Sequence, residues 1–354
     1  MVEYLTNMNK RIRKLIINYK DKAILVTDSK DIYYLTGAGF DGFWLLLYKN
    51  NIFAITSKMV EGQVKHHFGD TAKITVILPF SDALAEICKK YKIKDVCIDI
   101  SNTNIMVFDA ISKKLLEHKI NVSKITGLTN DLRIIKDKTE IENIKTACNI
   151  VSKVYENVKK QIVAGMTELD IHFKIEEEFA KNHVVASFKT IVASGPNSSN
   201  PHHISGNRKI LKNDMVLIDM GCIYNGYCSD LTRIAFLGKI TSMSEKVWSL
   251  VKQAHDMSLL SVEIGNKCSI VDSAARDVIK KAGFGDKFIH GTGHGVGLNI
   301  HESPSVSQNS KEILKENMVI TIEPGIYIPN KFGIRIEDTV LVTKNGCEIL
   351  TNTK

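Results

Sequence analysis

Residues 215–233 read MVLIDMGCIYNGYCSDLTR, and the turn at their centre decides how this part of the chain folds. Asn225-Gly226 is a strong hairpin signal, because a type I′ turn needs positive φ at both central residues and this pair tolerates it. With that turn, Tyr224 pairs with Tyr227 and Gly221 falls opposite Asp230. Side chains alternate along a strand, so Asp219 shares a face with Asp230 as its diagonal neighbour, Cα atoms about 7–8 Å apart. Two carboxylates amid Val, Leu, Ile and Met repel each other and resist burial; a cation between them relieves both problems. Two aspartates facing solvent on an exposed sheet satisfy the same pattern, so the pair alone leaves both readings open.

Working outward, further oxygen donors recur in apolar settings. Met318-Val-Ile-Thr-Ile-Glu323 places a glutamate at the end of an apolar strand, closed by Pro324-Gly325. In Gly333-Ile-Arg-Ile-Glu337-Asp-Thr-Val, Arg335, Glu337 and Thr339 share one face, an arrangement that a structural ion pair would also produce. The segment His290-Gly-Thr-Gly-His294-Gly-Val-Gly-Leu-Asn-Ile-His301 carries three imidazoles among alternating glycines, which permit close backbone approach to a ligand. His202-His203 adds a pair from a turn-rich loop that by itself reads as surface.

Four carboxylates and an imidazole are a hard donor set. They suit two divalent cations, Mn²⁺ first, with Co²⁺, Zn²⁺ or Fe²⁺ as alternatives. Two such ions about 3.5–4 Å apart bridge a hydroxide and polarise a carbonyl, the arrangement of metal-assisted hydrolysis. Other chemistries find little footing. G-x-G-x-G is not the dinucleotide spacing, His301-Glu-Ser-Pro-Ser305 is not H-E-x-x-H, and no G-x-S-x-G elbow occurs.

The 354 residues, 44% apolar and 24% charged, suit a globular chain of two domains rather than a disordered one. No apolar run approaches the ~20 residues that span a bilayer, and residues 15–17 are too short for a secretory core, so neither membrane insertion nor export is expected. The net charge of +8 comes from scattered lysines without a nucleic-acid motif. Seven cysteines without a C-x-x-C pair fit buried thiols in a reducing cytoplasm.

Before residue 128 the pattern alternates. Strands are expected at 23–26, 43–47, 52–55, 74–78, 96–100 and 122–125, with helices at 58–67, 82–91 and 105–118 and a hairpin at Asn50-Asn51. This predicts an α/β N-terminal domain with a mixed sheet, residues 1–128, in which His66-His67 reads as a solvated pair. Residues 129–354 open with a long helix at 139–163 and a second from Thr167, whose N-cap has Asp170 three residues on as a weak capping box. Helices at 244–262 and 271–282 interrupt an otherwise β-rich remainder, and no internal repeat is evident.

The segments VLIDMGCIYNGYCSDLTR, HGTGHGVGLNIHES, TIEPGIYIP and GIRIEDTVLV together resemble the pita-bread metallopeptidases, the family of Xaa-Pro aminopeptidase, Xaa-Pro dipeptidase (prolidase) and methionine aminopeptidase, with creatinase as a non-metal relative. The likeness spans about residues 191–342 and extends back through the long helix to about 130. It implies an α+β pita-bread catalytic domain behind a creatinase-like one. It further implies that Asp219, Asp230, His294, Glu323 and Glu337 hold two metals, with Glu323 also accepting a proton from the attacking water. His202 would face the substrate, His301 would stabilise the oxyanion, His290 would line the pocket, and Tyr327 and Arg335 would orient a ligand and close it.

The N-terminal domain points within that family to the proline-specific enzymes, and a dimer is implied because relatives complete their sites near a partner. Prolidases often carry an arginine just after the H-E-x-P element to take a dipeptide's carboxylate. Here Ser305 stands there, which favours an Xaa-Pro aminopeptidase, with prolidase as the alternative. A catalytically silent peptide- or protein-binding module is the reading from another class, and five intact ligand positions count against it.

Overall fold

The computed structural model describes residues 2–19 and 22–353; Met1, Lys20, Asp21 and Lys354 lie outside the described residues. The chain divides into two compact units, Met1–Leu132 and Arg133–Lys354.

The first unit holds one six-stranded mixed sheet. Its strands are β1 (Ala23–Val26), β2 (Phe43–Tyr48), β3 (Asn51–Thr56), β4 (Lys73–Val76), β5 (Asp95–Asp99) and β6 (Asn121–Ile125), in the order β4-β3-β2-β1-β5-β6. β1 runs antiparallel to β2 and parallel to β5, so the chain must cross over a face of the sheet, and amphipathic helices supply those crossings. They are α3 (Glu61–Phe68), α4 (Phe80–Lys90) and α5 (Ile105–Glu117), preceded in the chain by α1 (Val2–Tyr19) and α2 (Ser29–Thr36). Leu25, Leu46, Phe53, Leu84, Ile98 and Ile111 meet in the core between the sheet and the helices after it.

The sequence reading omitted α1 and α2, the latter only eight residues long and too short to show periodicity. The hairpin turn also sits one residue earlier than expected: Tyr48 pairs with Asn51, and Lys49 takes the left-handed conformation at φ 51°. His67 is not simply solvated, because its Nε2 lies 3.0 Å from the Thr36 carbonyl while its ring packs edge-on against Phe68.

After the single turn α6 (Asn130–Arg133), the second unit repeats one plan twice. In the first half, α7 (Lys138–Lys159) and α8 (Glu168–Lys181) cover a sheet in which β8 (Ile191–Ser194) and β12 (Leu231–Phe236) flank β9 (Met215–Met220), while β7 (Val185–Ala186), β10 (Cys222–Tyr224) and β11 (Tyr227–Cys228) form a smaller sheet. In the second, α9 (Ser242–Leu260) and α10 (Cys268–Lys281) precede β13 (Gly293–Gly295), β14 (Glu302–Val306), β15 (Val319–Ile322), β18 (Asp338–Thr343) and β19 (Gly346–Ile349), with β16 (Gly325–Ile328) and β17 (Phe332–Arg335) forming a separate ribbon.

The repeat is visible in backbone details one hundred residues apart. Gly165 and Gly265 both adopt positive φ, at 96° and 92°, and donate their N–H groups to Ile210 and Leu314. Thr167 and Lys267 form equivalent bridges to Lys209 and Ile313. Only the glycine requires a particular residue type at these positions, which is why the sequence shows no evident repeat. Thr167 caps α8 through a reciprocal capping box with Asp170, and Asp137 does the same for α7 with Glu140.

The Asn225-Gly226 hairpin has the expected register: Tyr224 pairs with Tyr227, and across β9 and β12 Met220 pairs with Leu231 and Asp219 with Thr232. The stretch 333–342, read as one strand, is instead broken. Arg335 ends β17 and Asp338 begins β18, and at the break Glu337 bridges to Thr232 of the other half.

Candidate metal centre and active site

Asp219 and Asp230 come from the first half of the repeat, and His294, Glu323 and Glu337 from the second. All five line one cavity of about 480 Å³. Ligand atoms of Asp230, His294 and Glu337 lie within 4.8 Å of one another. The Glu323 Oε1 sits 3.4 Å from His294 Nε2, and the Asp230 Oδ2 sits 3.6 Å from the same nitrogen. Asp219, Asp230 and Glu337 are 9%, 4% and 2% exposed, so three carboxylates are held out of water beside one another.

Three observations test whether this donor set fits a cation. The Asp219 Oδ1 is buried without a hydrogen-bond partner among the described residues, while its Oδ2 accepts from Arg335 at 2.5 Å. Burial first, and then the Glu337 and Asp219 charges, hold the Asp230 carboxyl well above the usual carboxylate range. Glu337 is raised in the same way, by burial and then by Glu323 and Asp219, and burial also raises Glu323. One arginine does not neutralise such a group, and divalent ions would. Finally, the His294 Nδ1 lies 3.1 Å from the Gly295 carbonyl, and burial pushes this imidazole's pKa down. A neutral ring donating through Nδ1 leaves the Nε2 lone pair aimed at Asp230 and Glu323, as metal-bound histidines require. The residues fit.

The remaining expected residues occupy distinct places. His202, exposed, and His301 line the cavity, and the His301 ring centroid is 4.3 Å from that of His294. His290 lines it too, but both its nitrogens are engaged. Arg335 donates to the Tyr327 hydroxyl at 2.8 Å, that hydroxyl lies 2.9 Å from His290 Nε2, and His290 Nδ1 lies 2.7 Å from the Gly291 carbonyl. His290 therefore offers its ring surface rather than a free nitrogen. Tyr327 is buried behind His290 and Arg335 and is not part of the cavity wall.

Gly291 and Gly293 line the cavity, and the alternating glycines also allow close strand packing. A Cβ at Gly293 would stand 1.9 Å from the Thr321 carbonyl, and one at Gly295 would stand 2.2 Å from that of Ser303. Asp272 of α10 accepts the Thr292 N–H and hydroxyl, while Arg276 pairs with Asp272 and donates to the Phe288 and His290 carbonyls, fixing this segment from behind.

Sequence reasoning missed several supporting groups. Thr232 donates to Glu337 Oε2 at 2.6 Å and accepts from Arg335 Nε at 3.1 Å. The hairpin register could have pointed to it, since Thr232 stands opposite Asp219. Glu168, fully buried, accepts from Ser194, Asn197 and Gly206 and lies 2.8 Å from His203 Nε2, so it ties down the loop that carries His202. Burial alone would raise this carboxyl; hydrogen bonds from His203, Ser194 and Asn197 overcome it and hold it below the usual range. Glu168 looks in sequence like an ordinary first-turn acid. Lys189 and Ile191 also line the cavity, and a strand ladder read from sequence carries no sign of that.

A cavity whose interior is lined by four carboxylates and a neutral imidazole, with acid–base side chains at its edge, defines a metal-dependent hydrolase. The chain belongs to metallopeptidase family M24: that family's model matches residues 142–344, and the Creatinase/Prolidase N-terminal domain model matches residues 9–135. It is thus an enzyme of a family that works with divalent metal ions, with a creatinase-type N-terminal domain and a pita-bread catalytic domain. It is 34% identical to the Xaa-Pro dipeptidase of Pyrococcus horikoshii, across 98% of both chains. Among solved structures, the X-Pro aminopeptidase from Thermotoga maritima matches with a TM-score of 0.89 at 32% identity, over 97% of this chain and 98% of that one. The Xaa-Pro dipeptidase from Bacillus anthracis matches with a TM-score of 0.94 at 29% identity, over 98% of each. Among the described residues no helix is long and apolar enough to cross a membrane.

Proposed function

We propose that this chain is a dinuclear-metal exopeptidase that hydrolyses the bond between an N-terminal residue and a following proline, and that dipeptides are its preferred substrates. The carrying observation is the convergence of Asp219, Asp230, His294, Glu323 and Glu337 on one cavity, with an orphaned Asp219 oxygen and a neutral His294 aimed into it. The relatives named Xaa-Pro dipeptidase and X-Pro aminopeptidase support the proline specificity.

Asp219, Asp230, His294, Glu323 and Glu337 would hold the ions, Mn²⁺ being the best match to the hard donor set. When bound, the ions polarise the scissile carbonyl and lower the pKa of water. Glu323, whose carboxyl is raised above its ordinary range by burial, accepts the proton of the attacking water and returns it to the leaving proline nitrogen. His301 donates a hydrogen bond to the carbonyl oxygen as charge develops there. Arg335 holds Asp219 in place by pairing with its Oδ2. The ring faces of His290 and the side chains of Phe188 and Ile191 supply apolar wall for the substrate.

The preference for dipeptides rests on the dipeptidase relatives, including one in Pyrococcus furiosus that is 40% identical over 76% of this chain and 79% of its own length. Ser305, exposed and uncharged at the cavity edge, favours the other length, an aminopeptidase that accepts a longer tail. A homodimer in the cytoplasm completes the reading. The test is release of the first residue from an Xaa-Pro dipeptide and an Xaa-Pro-Yaa tripeptide, with Mn²⁺ and after chelation. Chelator-sensitive cleavage confined to the dipeptide is expected. Efficient tripeptide cleavage would instead make it an aminopeptidase, and failure on both by metal-loaded protein would overturn the reading.

A further inference from the structure

Resting on the proline-exopeptidase reading, we propose that Lys189 is the specificity residue that receives the free C-terminal carboxylate of a dipeptide. The charges lining the cavity set up the argument. Its four carboxylates face the metal position, and Arg335 is spent on Asp219 and Tyr327. Lys189 is the other fixed cation of the wall, and among the described residues its ammonium makes no hydrogen bond or ion pair.

The backbone around Lys189 is fastened on both sides. Ser187 donates its N–H to the Gly221 carbonyl and its hydroxyl to the Ser229 carbonyl. Thr190 is buried, its carbonyl 3.1 Å from His172 Nδ1 and its hydroxyl donating to Glu176 at 3.1 Å. Thr190 turns into α8 while Lys189 and Ile191, on either side of it, line the cavity. Ile191 pairs with Asp219 in the β8–β9 ladder, which puts Lys189 two residues further from the metal position on the same face.

A dipeptide in this cavity is a zwitterion. Its ammonium is drawn to the carboxylates of the interior, and its carboxylate, one proline ring beyond the scissile bond, is left at the exposed edge where Lys189 stands. Phe188 and Ile191, on either side, give the proline ring an apolar seat. Ser305 on the same wall brings no charge, so the discrimination between a dipeptide and its uncharged or extended analogues falls to Lys189.

The experiment compares Ala-Pro with Ala-Pro amide on metal-loaded wild type, K189A, K189E and K189R. The wild type is expected to favour the acid over the amide. K189A should raise KM for the acid roughly fivefold to tenfold with little change in kcat, consistent with one partly solvated charged hydrogen bond. The acid-over-amide ratio should then collapse toward one, fall below one in K189E, and recover in K189R. A ratio unaltered in K189A and K189E, with Ala-Pro still cleaved, overturns the role of Lys189 and leaves the exopeptidase reading standing. Absence of hydrolysis of both substrates by the wild type overturns that reading and Lys189 with it.

Discussion

Thr232 grips Glu337 at two points: its hydroxyl donates to the Glu337 Oε2 at 2.6 Å, and its carbonyl accepts the Glu337 N–H at 3.1 Å. The two residues belong to different halves of the repeated fold, so this pair joins the halves at the cavity. Arg335 reinforces the junction by donating to the same hydroxyl. Groups that hold a ligand from behind typically account for 10- to 100-fold in metal affinity or activity. Thr232→Val, which keeps the shape and removes the hydroxyl, should weaken metal binding by about that factor, while Thr232→Ser should remain close to wild type. Metal titration monitored by activity and by bound-metal analysis separates the two; equal affinities would remove Thr232 from the site.

Asp230→Asn has two opposite consequences. Loss of a carboxylate from the cluster should lower metal content and abolish turnover, and retention of both metals at full rate would sink the assignment. The metal-free protein, however, should gain stability. Burial and the charges of Glu337 and Asp219 raise the Asp230 carboxyl in the folded state. The native chain therefore holds a proton that the unfolded chain has released above pH ~4, and stability falls as pH rises above that value. Asparagine removes this penalty, so chelated Asp230→Asn should melt about 2–4 °C above chelated wild type at pH 8. The gap should narrow as pH falls toward the ordinary carboxylate range, where the unfolded chain takes up the same proton. A variant that melts below wild type at pH 8 would contradict the repulsion.

His301 stands beside His294 without belonging to the tight cluster, and burial and the neighbouring His294 lower its pKa. If it acts as an oxyanion donor, His301→Ala should cut kcat by roughly 10²–10³-fold while metal content is unchanged. Metal loss in parallel with activity would move His301 into the ligand set.

Glu168 shows how far support for the site extends. Its buried carboxylate gathers donors from Ser194, Asn197, His203 and Gly206, and the loop between them presents His202 to the cavity. Removing a buried charge's partner typically costs 3–5 kcal/mol. Glu168→Ala should therefore destabilise the catalytic unit by about 3 kcal/mol in chemical denaturation and lower kcat. Unchanged stability would mean that the donors find other acceptors.

Much of this architecture was open to a reader of the chain. The register of residues 215–233 followed from Asn225-Gly226, because a two-residue turn leaves one pairing and the side-chain period of two leaves one choice of face. The strands of the first unit and the long helix α7 were equally plain, the strands from short apolar runs and the helix from its periodic apolar face. What carries no local signature was missed. The eight-residue α2 is too short for a period, and the repeat of the second unit survives mainly in the left-handed turns at Gly165 and Gly265.

By itself, the sequence determined which residue types stand on which strand face, and so assembled a hard donor set of four carboxylates and an imidazole. Only the tertiary structure decided what each one does. Whether Glu337 is a structural ion pair or a site residue depended on where Arg335 turned, and it turned to Asp219. His202 and His203 are adjacent and chemically identical, yet one lines the cavity and the other closes onto buried Glu168. Lys189 differs from other surface lysines only because Thr190 is buried behind it. These outcomes depend on residues far away in the chain, and a local pattern cannot encode a partner it does not contain.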